Sequence, residues 1–258
     1  MQKLPHARVV ARLMGSLPMG GVQPDTPIHA LSGALFEPEE LVPPEAPPKR
    51  SDLALGGLLA FQISGVLTRS QCARIVAATE QMGYSAAAPG IATPPGMRMN
   101  QSVHWIADES LMAAIAARVL PLVPRQIDGR PLLGRLSQRI NMYRYHPGDQ
   151  FRLHIDGDWP GYGLSEDATE MVEWQGTRSA LSMLLYLNDA RDGLEGGATR
   201  LYSREHSLVD VNPVAGDGLF FRHGFSTDSV QHEGLPVRAG VKHLARINVL
   251  YAEQPTRL

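Results

Sequence analysis

The sequence is almost without cysteine, with Cys72 the single example in 258 residues. A disulfide within the chain is therefore impossible, and a zinc site built from several thiolates is excluded. The sequence also lacks any run of about 18 apolar residues, the length that a helix needs to cross a bilayer. We therefore expect no membrane association and a cytoplasmic location.

The chain has little excess of either charge, with 24 Lys and Arg against 26 Asp and Glu and a net charge of −2. Nucleic-acid binding proteins usually carry a basic face, so no nucleic-acid partner is expected. Residues 1–24 contain three basic residues and no acid, which weakly resembles an organelle-targeting peptide. No apolar segment or cleavage-like site follows them, so an ordinary N-terminal arm is the favoured interpretation.

Proline is concentrated near the N-terminus, where residues 1–50 hold 9 of the 20 prolines. Proline fixes φ and removes a backbone donor, which disfavours regular helix and central strand. We predict that residues 1–52 form an extended arm or linker. Residues 53–258 then form one domain, with helical support over 61–123 and a β-rich core over 139–253.

Two helices and a series of short strands are predicted in this domain. Thr68 and Gln71 have the spacing of a capping box, and a second helix is expected to start at Asp108. From Arg139 onward, short β-rich runs are bounded by Gly, Pro, Asn or Asp, which indicates a sandwich or barrel with the helices outside. The predicted strands lie near 139–146, 151–156, 179–187, 198–203, 207–212, 217–222, 229–233 and 241–251.

The segment His154-Ile155-Asp156 places an imidazole and a carboxylate two residues apart. On a strand these side chains point to the same side, so both can reach one metal ion. A third ligand, from another imidazole, would complete the two-histidine, one-carboxylate triad of non-haem Fe(II) oxygenases. The motif alone is weak, because histidines with ordinary hydrogen bonds are commoner than ligands. Chemistry alone leaves several candidates for the third ligand: His104, His146, His206, His223, His232 and His243.

Four blocks of sequence occur in the order found in one enzyme family. They resemble the prolyl 4-hydroxylase-like branch of the Fe(II)- and 2-oxoglutarate-dependent oxygenases. The blocks are Tyr145-x-x-Gly148-x-x-Phe151-x-x-His154-x-Asp156; Leu184-Leu185-Tyr186-Leu187-Asn188 followed by Gly196-Gly197-Ala198-Thr199; Pro213-x-x-Gly216 followed by Leu219-Phe220-Phe221; and His232-Glu233-Gly234-x-Pro236-Val237-x-x-Gly240-x-Lys242.

The resemblance implies a mainly β (α+β) fold with a double-stranded β-helix, or jelly roll, as its core. It selects His232 as the third iron ligand beside His154 and Asp156. The cofactor would be Fe(II), with 2-oxoglutarate and O2 as cosubstrates. Lys242 is expected to bind the distal carboxylate of 2-oxoglutarate because a buried anion needs a paired cation. Arg246 is a rival, since it shares a strand face with Lys242.

Two further residues match positions that contact 2-oxoglutarate in the family. Tyr145 matches a tyrosine that contacts this cosubstrate, and Thr199 matches a threonine that can hydrogen-bond its carboxylate. The alternative for Tyr145 is a core aromatic residue with a satisfied hydroxyl. The alternative for Thr199 is an ordinary β-branched strand residue.

The segment from Gly157 to Thr177 looks like an insertion that could cover the substrate. Trp159 and Trp174 lie within it, and Arg178 follows it; these three are the candidate substrate contacts. Five acids accompany the aromatic residues, so one hypothesis is a mobile lid over a cationic substrate. The simpler interpretation is a solvated surface loop, and for Arg178 a surface salt bridge.

The sequence therefore predicts a dioxygenase that hydroxylates a C–H bond and releases succinate and CO2. The substrate is expected to be a peptidyl residue, an amino acid or another small molecule, and the oligomeric state is not predicted. One alternative is another cupin-like metal enzyme that uses no keto acid; Asp156 and Lys242 argue against it. The other is a non-catalytic interaction module on the same barrel, against which the complete set of predicted ligands argues.

Overall fold

The computed structural model describes residues 4–16, 22–86, 90–91, 93–205 and 207–253, which are predominantly β-structure. The N-terminal strands are β1 (Ala7–Ser16), β2 (Val22–Leu31), β3 (Lys49–Asp52), β4 (Ala60–Ser64), β5 (Gly90–Ile91), β6 (Gln101–Ile106) and β7 (Gln126–Ile127). The middle strands are β8 (Arg130–Tyr145), β9 (Phe151–His154), β10 (Gly161–Leu164), β11 (Met171–Trp174), β12 (Thr177–Tyr186) and β13 (Glu195–Gly196). The last strands are β14 (Thr199–Tyr202), β15 (Leu208–Val211), β16 (Gly218–Arg222), β17 (Gln231–Gly234), β18 (Val237–Ala239) and β19 (Lys242–Ala252).

Both predicted helices are confirmed. Helix α1 (Arg69–Met82) begins with the predicted capping box, in which the Thr68 hydroxyl and the Gln71 side chain each bond the other's backbone N–H. Helix α2 (Glu109–Val119) begins at Asp108, whose carboxylate accepts from the Leu111 N–H. Among the described residues, three short 3-10 helices lie at Pro38–Leu41, Leu120–Leu122 and Ala190–Asp192. In the described part of the chain, no helix is long and apolar enough to cross a membrane.

Two facing sheets form the core of the domain. The main sheet has eleven strands in the order β3-β4-β16-β12-β19-β8-β6-β2-β1-β5, with β7 paired to β8. The smaller sheet has four strands in the order β15-β14-β17-β9. The predicted double-stranded β-helix is thereby confirmed.

Apolar side chains fill both sides of the main sheet. On the side facing the helices, Trp105, Ile140 and Met142 pack with residues of α1 and α2. On the side facing the smaller sheet, aromatic residues such as Tyr143 and Tyr186 pack with Leu201 of β14 and Val211 of β15. A strand presents alternate residues to opposite faces, so β8 directs Arg139, Asn141, Tyr143 and Tyr145 into the barrel.

The eight predicted strands are found as β8, β9, β12, β14, β15, β16, β17 and β19, with shifted ends. The predicted helical support over 61–123 is incomplete, because it also contains β6, which pairs with β8 within the main sheet. Helical periodicity dominates this region in α1 and α2, so the short β-rich segment between them is not predicted as a strand.

The N-terminal region also contributes to the main sheet. An arm or linker is predicted over residues 1–52, whereas β1, β2 and β3 lie there, and β2 pairs in parallel with β6. Val10, Ile28 and Ala30 are buried in a small core of their own. Averaging the composition over fifty residues merged this strand pair with the proline-rich connection that follows it. The division of the chain at residue 52 stays a prediction.

The insertion from Gly157 to Thr177 folds as a hairpin of β10 and β11, not as an irregular loop. Tyr162, Leu164 and Met171 of this hairpin pack against the small core formed by the N-terminal strands. The Tyr162 N–H also donates to the Ser137 hydroxyl of β8. The hairpin is therefore docked on the main sheet.

Candidate active site

Two strands of the smaller sheet bring His154, Asp156 and His232 together. β9 ends at His154, and β17 runs antiparallel to it with His232 as the direct register partner of His154. Asp156 follows two residues after His154 and is 8% exposed. The spacing of the H-x-D motif thus has the consequence expected for extended backbone.

The three side chains converge on one point. Their potential ligand atoms all lie within 4.8 Å of one another. His154 Nε2 lies 3.8 Å from Asp156 Oδ1, and His232 Nε2 lies 3.8 Å from Asp156 Oδ2. Two imidazole nitrogens and a carboxylate are the donor set of a non-haem Fe(II) site, so these residues fit that metal.

Backbone carbonyls orient both imidazole rings. The Nδ1–H of His154 donates to the Arg152 carbonyl at 2.7 Å, and that of His232 donates to the Val230 carbonyl at 3.2 Å. Each Nε2 lone pair is therefore left for a metal. Burial, followed by the neighbouring His232, lowers the pKa of His154 to about 4, and burial also lowers the pKa of His232. Both rings are neutral at pH 7, as metal ligands must be.

Asp156 is held in its charged form by its surroundings. Burial by itself raises the pKa of Asp156, but the Arg246 guanidinium, which is the largest opposing influence, helps to hold the pKa below its usual range. Arg246 Nε lies 3.1 Å from Asp156 Oδ2, and the Ser182 hydroxyl donates to the same oxygen at 2.6 Å.

A chain of hydrogen bonds extends from Asp156 to the segment before the hairpin. Ser182 uses its proton on Asp156, so it accepts from His223 Nδ1–H at 2.8 Å. His223 Nε2 then accepts from the Ser179 hydroxyl at 2.8 Å, and Ser179 accepts from the Trp159 N–H at 2.9 Å. Both ring nitrogens of His223 are occupied, so His223 is unsuited to be the third ligand.

Lys242 lies deep in the barrel with its charge unpaired by any acid among the described residues. It is 2% exposed, and its Nζ donates to the Gly197 carbonyl at 2.6 Å. Burial lowers its pKa to about 7. A narrow cavity of about 30 Å³ connects Lys242, Tyr145 and Thr199 to the three candidate ligands. Arg246 lines the same cavity but is engaged with Asp156 and with the Gly157 carbonyl.

Tyr145 and Thr199 both line this cavity from opposite sheets. Burial raises the pKa of Tyr145, so its phenol is neutral. The Thr199 hydroxyl accepts from the Tyr186 phenol at 2.8 Å, which leaves the Thr199 proton free to donate.

The three candidate substrate contacts are not among the residues that line this cavity. Arg178 is paired with Asp158 at 2.7 Å. The Trp174 ring lies 3.8 Å below the Arg135 guanidinium within the hairpin, and Trp159 lies 5.7 Å from the guanidinium of Arg139. Their role at the substrate stays a prediction.

Sequence reasoning missed Ser182 as a partner of Asp156, and it missed the stacking of His154 on Phe151 at 3.6 Å. It also missed Arg139, which is buried on the barrel face of β8. An available signal was the alternation in β8, where apolar Ile140 and Met142 interleave with polar or aromatic residues on the opposite face.

Comparison with known proteins agrees with this geometry. Residues 140–250 match the model of the family described as the 2OG-Fe(II) oxygenase superfamily. A viral collagen prolyl hydroxylase from Paramecium Bursaria Chlorella virus-1, solved with 2OG, shares 19% identity; the match covers 76% of this chain and 98% of that chain, with a TM-score of 0.51.

A second solved structure has the same fold. It is a prolyl hydroxylase from Trichoplax adhaerens in complex with a peptide fragment of the hypoxia inducible factor oxygen degradation domain. The identity is 19%, the match covers 75% of this chain and 83% of that chain, and the TM-score is 0.53. No curated protein matches the sequence.

Proposed function

We propose that this chain hydroxylates an unactivated C–H bond. Residues 140–250 belong to the 2OG-Fe(II) oxygenase superfamily, and the chain is therefore a 2-oxoglutarate-dependent dioxygenase. The cofactor is Fe(II), and 2-oxoglutarate and O2 are cosubstrates. In this proposal His154, Asp156 and His232 hold the iron. The convergence of their ligand atoms within 4.8 Å is the observation that carries it.

Bound Fe(II) and 2-oxoglutarate supply the oxidation, in which O2 converts the keto acid to succinate and CO2 and a hydroxyl group replaces a substrate hydrogen. The protein contributes position and charge. Neutral imidazoles and an ionised carboxylate keep the donor set ready for metal, and Arg246 and Ser182 fix the orientation of Asp156.

Lys242 anchors the distal carboxylate of 2-oxoglutarate in this proposal. Its Nζ has no acidic partner among the described residues, and the cavity leads from it to the candidate ligands. A carboxylate arriving there would form a charge-assisted bond in a buried setting, where such bonds are strongest. Tyr145 and Thr199 line the same space and would provide further polar contacts. Arg246 serves Asp156 and is not the anchor.

The proposed substrate is a peptide or a small molecule. The Trichoplax adhaerens relative was solved with a peptide fragment, which supports a peptide as one candidate substrate class. At 19% identity this likeness supports the shared fold alone. The choice between a peptide and a small molecule therefore depends on the residues of this chain.

The test is succinate formation by the full chain with Fe(II) and 2-oxoglutarate. The uncoupled reaction, without added substrate, is expected to require both reagents and to disappear in Asp156→Ala. Asp158→Ala is the matched control, because Asp158 pairs with Arg178 outside the cavity. Failure of the parent protein to turn over 2-oxoglutarate when loaded with Fe(II) would contradict the proposal.

A further inference from the structure

Arg139 is a buried cation without a counter-ion on the barrel face of β8. It is 7% exposed, and its Nε is buried with no hydrogen-bond partner. Among the described residues no carboxylate forms an ion pair with it. The Tyr162 and Tyr143 phenols and the Arg246 guanidinium lie close enough to affect its pKa, and Tyr162 also makes a side-chain hydrogen bond with it. Burial lowers the pKa of Arg139, as expected for a cation held away from water.

The contrast with Arg118, another buried arginine, is informative. The Arg118 guanidinium donates to the Val66 carbonyl at 2.7 Å, to the Leu41 carbonyl at 2.5 Å and to Gln71. Arg118 is thus satisfied by the fold. A buried charge is costly unless it is paired and hydrogen-bonded. Arg139 has the Tyr162 phenol beside it but no carboxylate, so it needs an anionic partner that the described residues do not supply.

Polar groups share the barrel face with Arg139, but no acid among the described residues pairs with it. Asn248 lies opposite Ser182 in the register of β12 and β19, so both face the barrel, and Asn248 Oδ1 is buried without a partner. Asn141 Oδ1 bonds His104 Nδ1 at 2.8 Å, and burial lowers the pKa of His104 to about 3. An unpaired donor and an unpaired acceptor therefore lie on the same face.

The 2-oxoglutarate molecule held by Lys242 cannot also satisfy Arg139. Lys242 is the register partner of Tyr145, and Arg139 lies six residues before Tyr145 on the same strand. At about 3.3 Å per residue this is roughly 20 Å of strand. Arg246, which pairs with Asp156, is opposite Asn141 between the two cations. The candidate metal site thus lies between two places that each need an anion.

We propose that Arg139 binds the carboxylate of the substrate, and hence that the hydroxylated compound is a small free carboxylic acid. Asn248 Oδ1 would accept a hydrogen bond from a donor group next to that carboxylate, such as the amino group of an amino acid or the hydroxyl group of a hydroxy acid. A guanidinium presents parallel N–H groups that match a carboxylate. This inference rests on the proposed dioxygenase function and narrows its substrate.

The competing explanation is that Arg139 only holds the hairpin in place. Its guanidinium lies 5.7 Å from the Trp159 ring and 5.3 Å from the Tyr162 ring. Arg135, on the same strand face, makes a similar contact with Trp174 at 3.8 Å but is exposed. Arg135 therefore provides a matched control that contacts the hairpin without lying at the buried site.

The experiment measures succinate formation by the full chain with Fe(II), 2-oxoglutarate and a panel of probe compounds. The panel consists of the common amino acids and of short aliphatic and aromatic monocarboxylates, each paired with its primary amide, together with peptides capped at both ends. At least one acid is expected to stimulate turnover while its amide and the capped peptides do not. The inference would be overturned if no acid stimulated turnover, or if an acid and its amide stimulated turnover equally. Stimulation by a capped peptide would also overturn it.

Arg139→Met is expected to raise the KM for the stimulating acid by about 100-fold, as loss of one partner of a buried charge pair does. Its uncoupled rate and its half-saturation by 2-oxoglutarate should stay at the parent level, and Arg135→Met should keep the parent KM. Arg139→Lys retains charge but not the paired geometry, so an intermediate KM is expected. Equal effects of Arg139→Met and Arg135→Met would assign Arg139 to the hairpin instead.

A second variant covers the case in which Arg139→Met fails to fold. Asn248→Asp is nearly isosteric and places a carboxylate on the face that Arg139 occupies. It is expected to fold, to retain uncoupled turnover and to lose stimulation by the acid; undiminished stimulation would count against the inference. If the parent lacks uncoupled turnover altogether, the proposed function fails, which is a different result from a lack of carboxylate selectivity.

Discussion

His154 and His232 are direct register partners on antiparallel strands, with their ring centroids 4.2 Å apart. The pair is held by backbone pairing of β9 with β17, so the distance between the rings depends on the sheet and not on a flexible loop. Each ring is further fixed by a bond to a backbone carbonyl two residues earlier in the chain. The candidate metal site is therefore already formed by the protein, which lowers the reorganisation needed to bind an ion.

His232→Ala removes one of the three proposed ligands. We expect loss of turnover and a fall in Fe(II) affinity of more than about 100-fold. This is larger than the effect of removing a residue that only hydrogen-bonds a metal ligand. Metal binding is measured by calorimetry under anaerobic conditions. His243→Ala is the control, since His243 bonds Glu80 at 2.8 Å on the helix side of the sheet, and its metal affinity should match the parent. Retention of parent affinity by His232→Ala would disprove the assignment.

Ser182→Ala removes the hydroxyl that orients Asp156 and also breaks the chain to His223. Metal affinity is expected to fall about 10- to 100-fold while the metal still binds. The control is Ser203→Ala, because Ser203 is also buried but bonds Ser207 in the turn after β14. An unchanged metal affinity in Ser182→Ala would show that Arg246 alone fixes the carboxylate.

The affinity for 2-oxoglutarate is expected to depend on pH through Lys242. Burial lowers the pKa of Lys242 to about 7, so the amine is mostly charged below that pH and mostly neutral above it. The anion binds the charged form, so binding should weaken as pH rises through about 7, with a proton taken up on binding at higher pH. Calorimetry in buffers of different ionisation enthalpy measures that proton.

Lys242→Met should abolish this pH dependence and weaken 2-oxoglutarate binding by about 30-fold or more, the lower range for truncating a buried charge pair. Its Fe(II) affinity should stay near the parent value. Proton uptake that persists in Lys242→Met would place the titrating group elsewhere.

The hairpin of β10 and β11 is predicted to be rigid because its packing leaves no space. A Cβ added at Gly163 would lie 2.5 Å from the Trp174 ring and 2.6 Å from Gln138 Oε1. Gly163→Ala should therefore cost about 1–3 kcal/mol of stability through overpacking. Gly134→Ala, where a Cβ would meet nothing within 4 Å, should be close to neutral. Thermal unfolding measures both, and an unaffected Gly163→Ala would support the mobile lid instead.

The H-x-D spacing predicted the pairing of His154 with Asp156 because alternation along a strand is a local property. The third ligand is not local, since the approach of β17 to β9 depends on how the sheets close, and only the family resemblance selected His232. Periodicity likewise located β8 but could not show that Arg139 and Asn248 end on the same inner face. Lys242 is preferred to Arg246 as the proposed 2-oxoglutarate anchor because Arg246 lies beside Asp156, a contact that the sequence alone does not reveal.

β19, the last strand among the described residues, lies in the middle of the main sheet between β12 and β8. During synthesis on the ribosome, neither neighbour can complete its pairing until residues 242–252 have emerged. Folding of the barrel must then wait for residues 242–252, and the earlier strands stay exposed meanwhile. We expect pairing over such sequence distances to be slow, so this protein would depend on chaperones more than a helical protein of equal length.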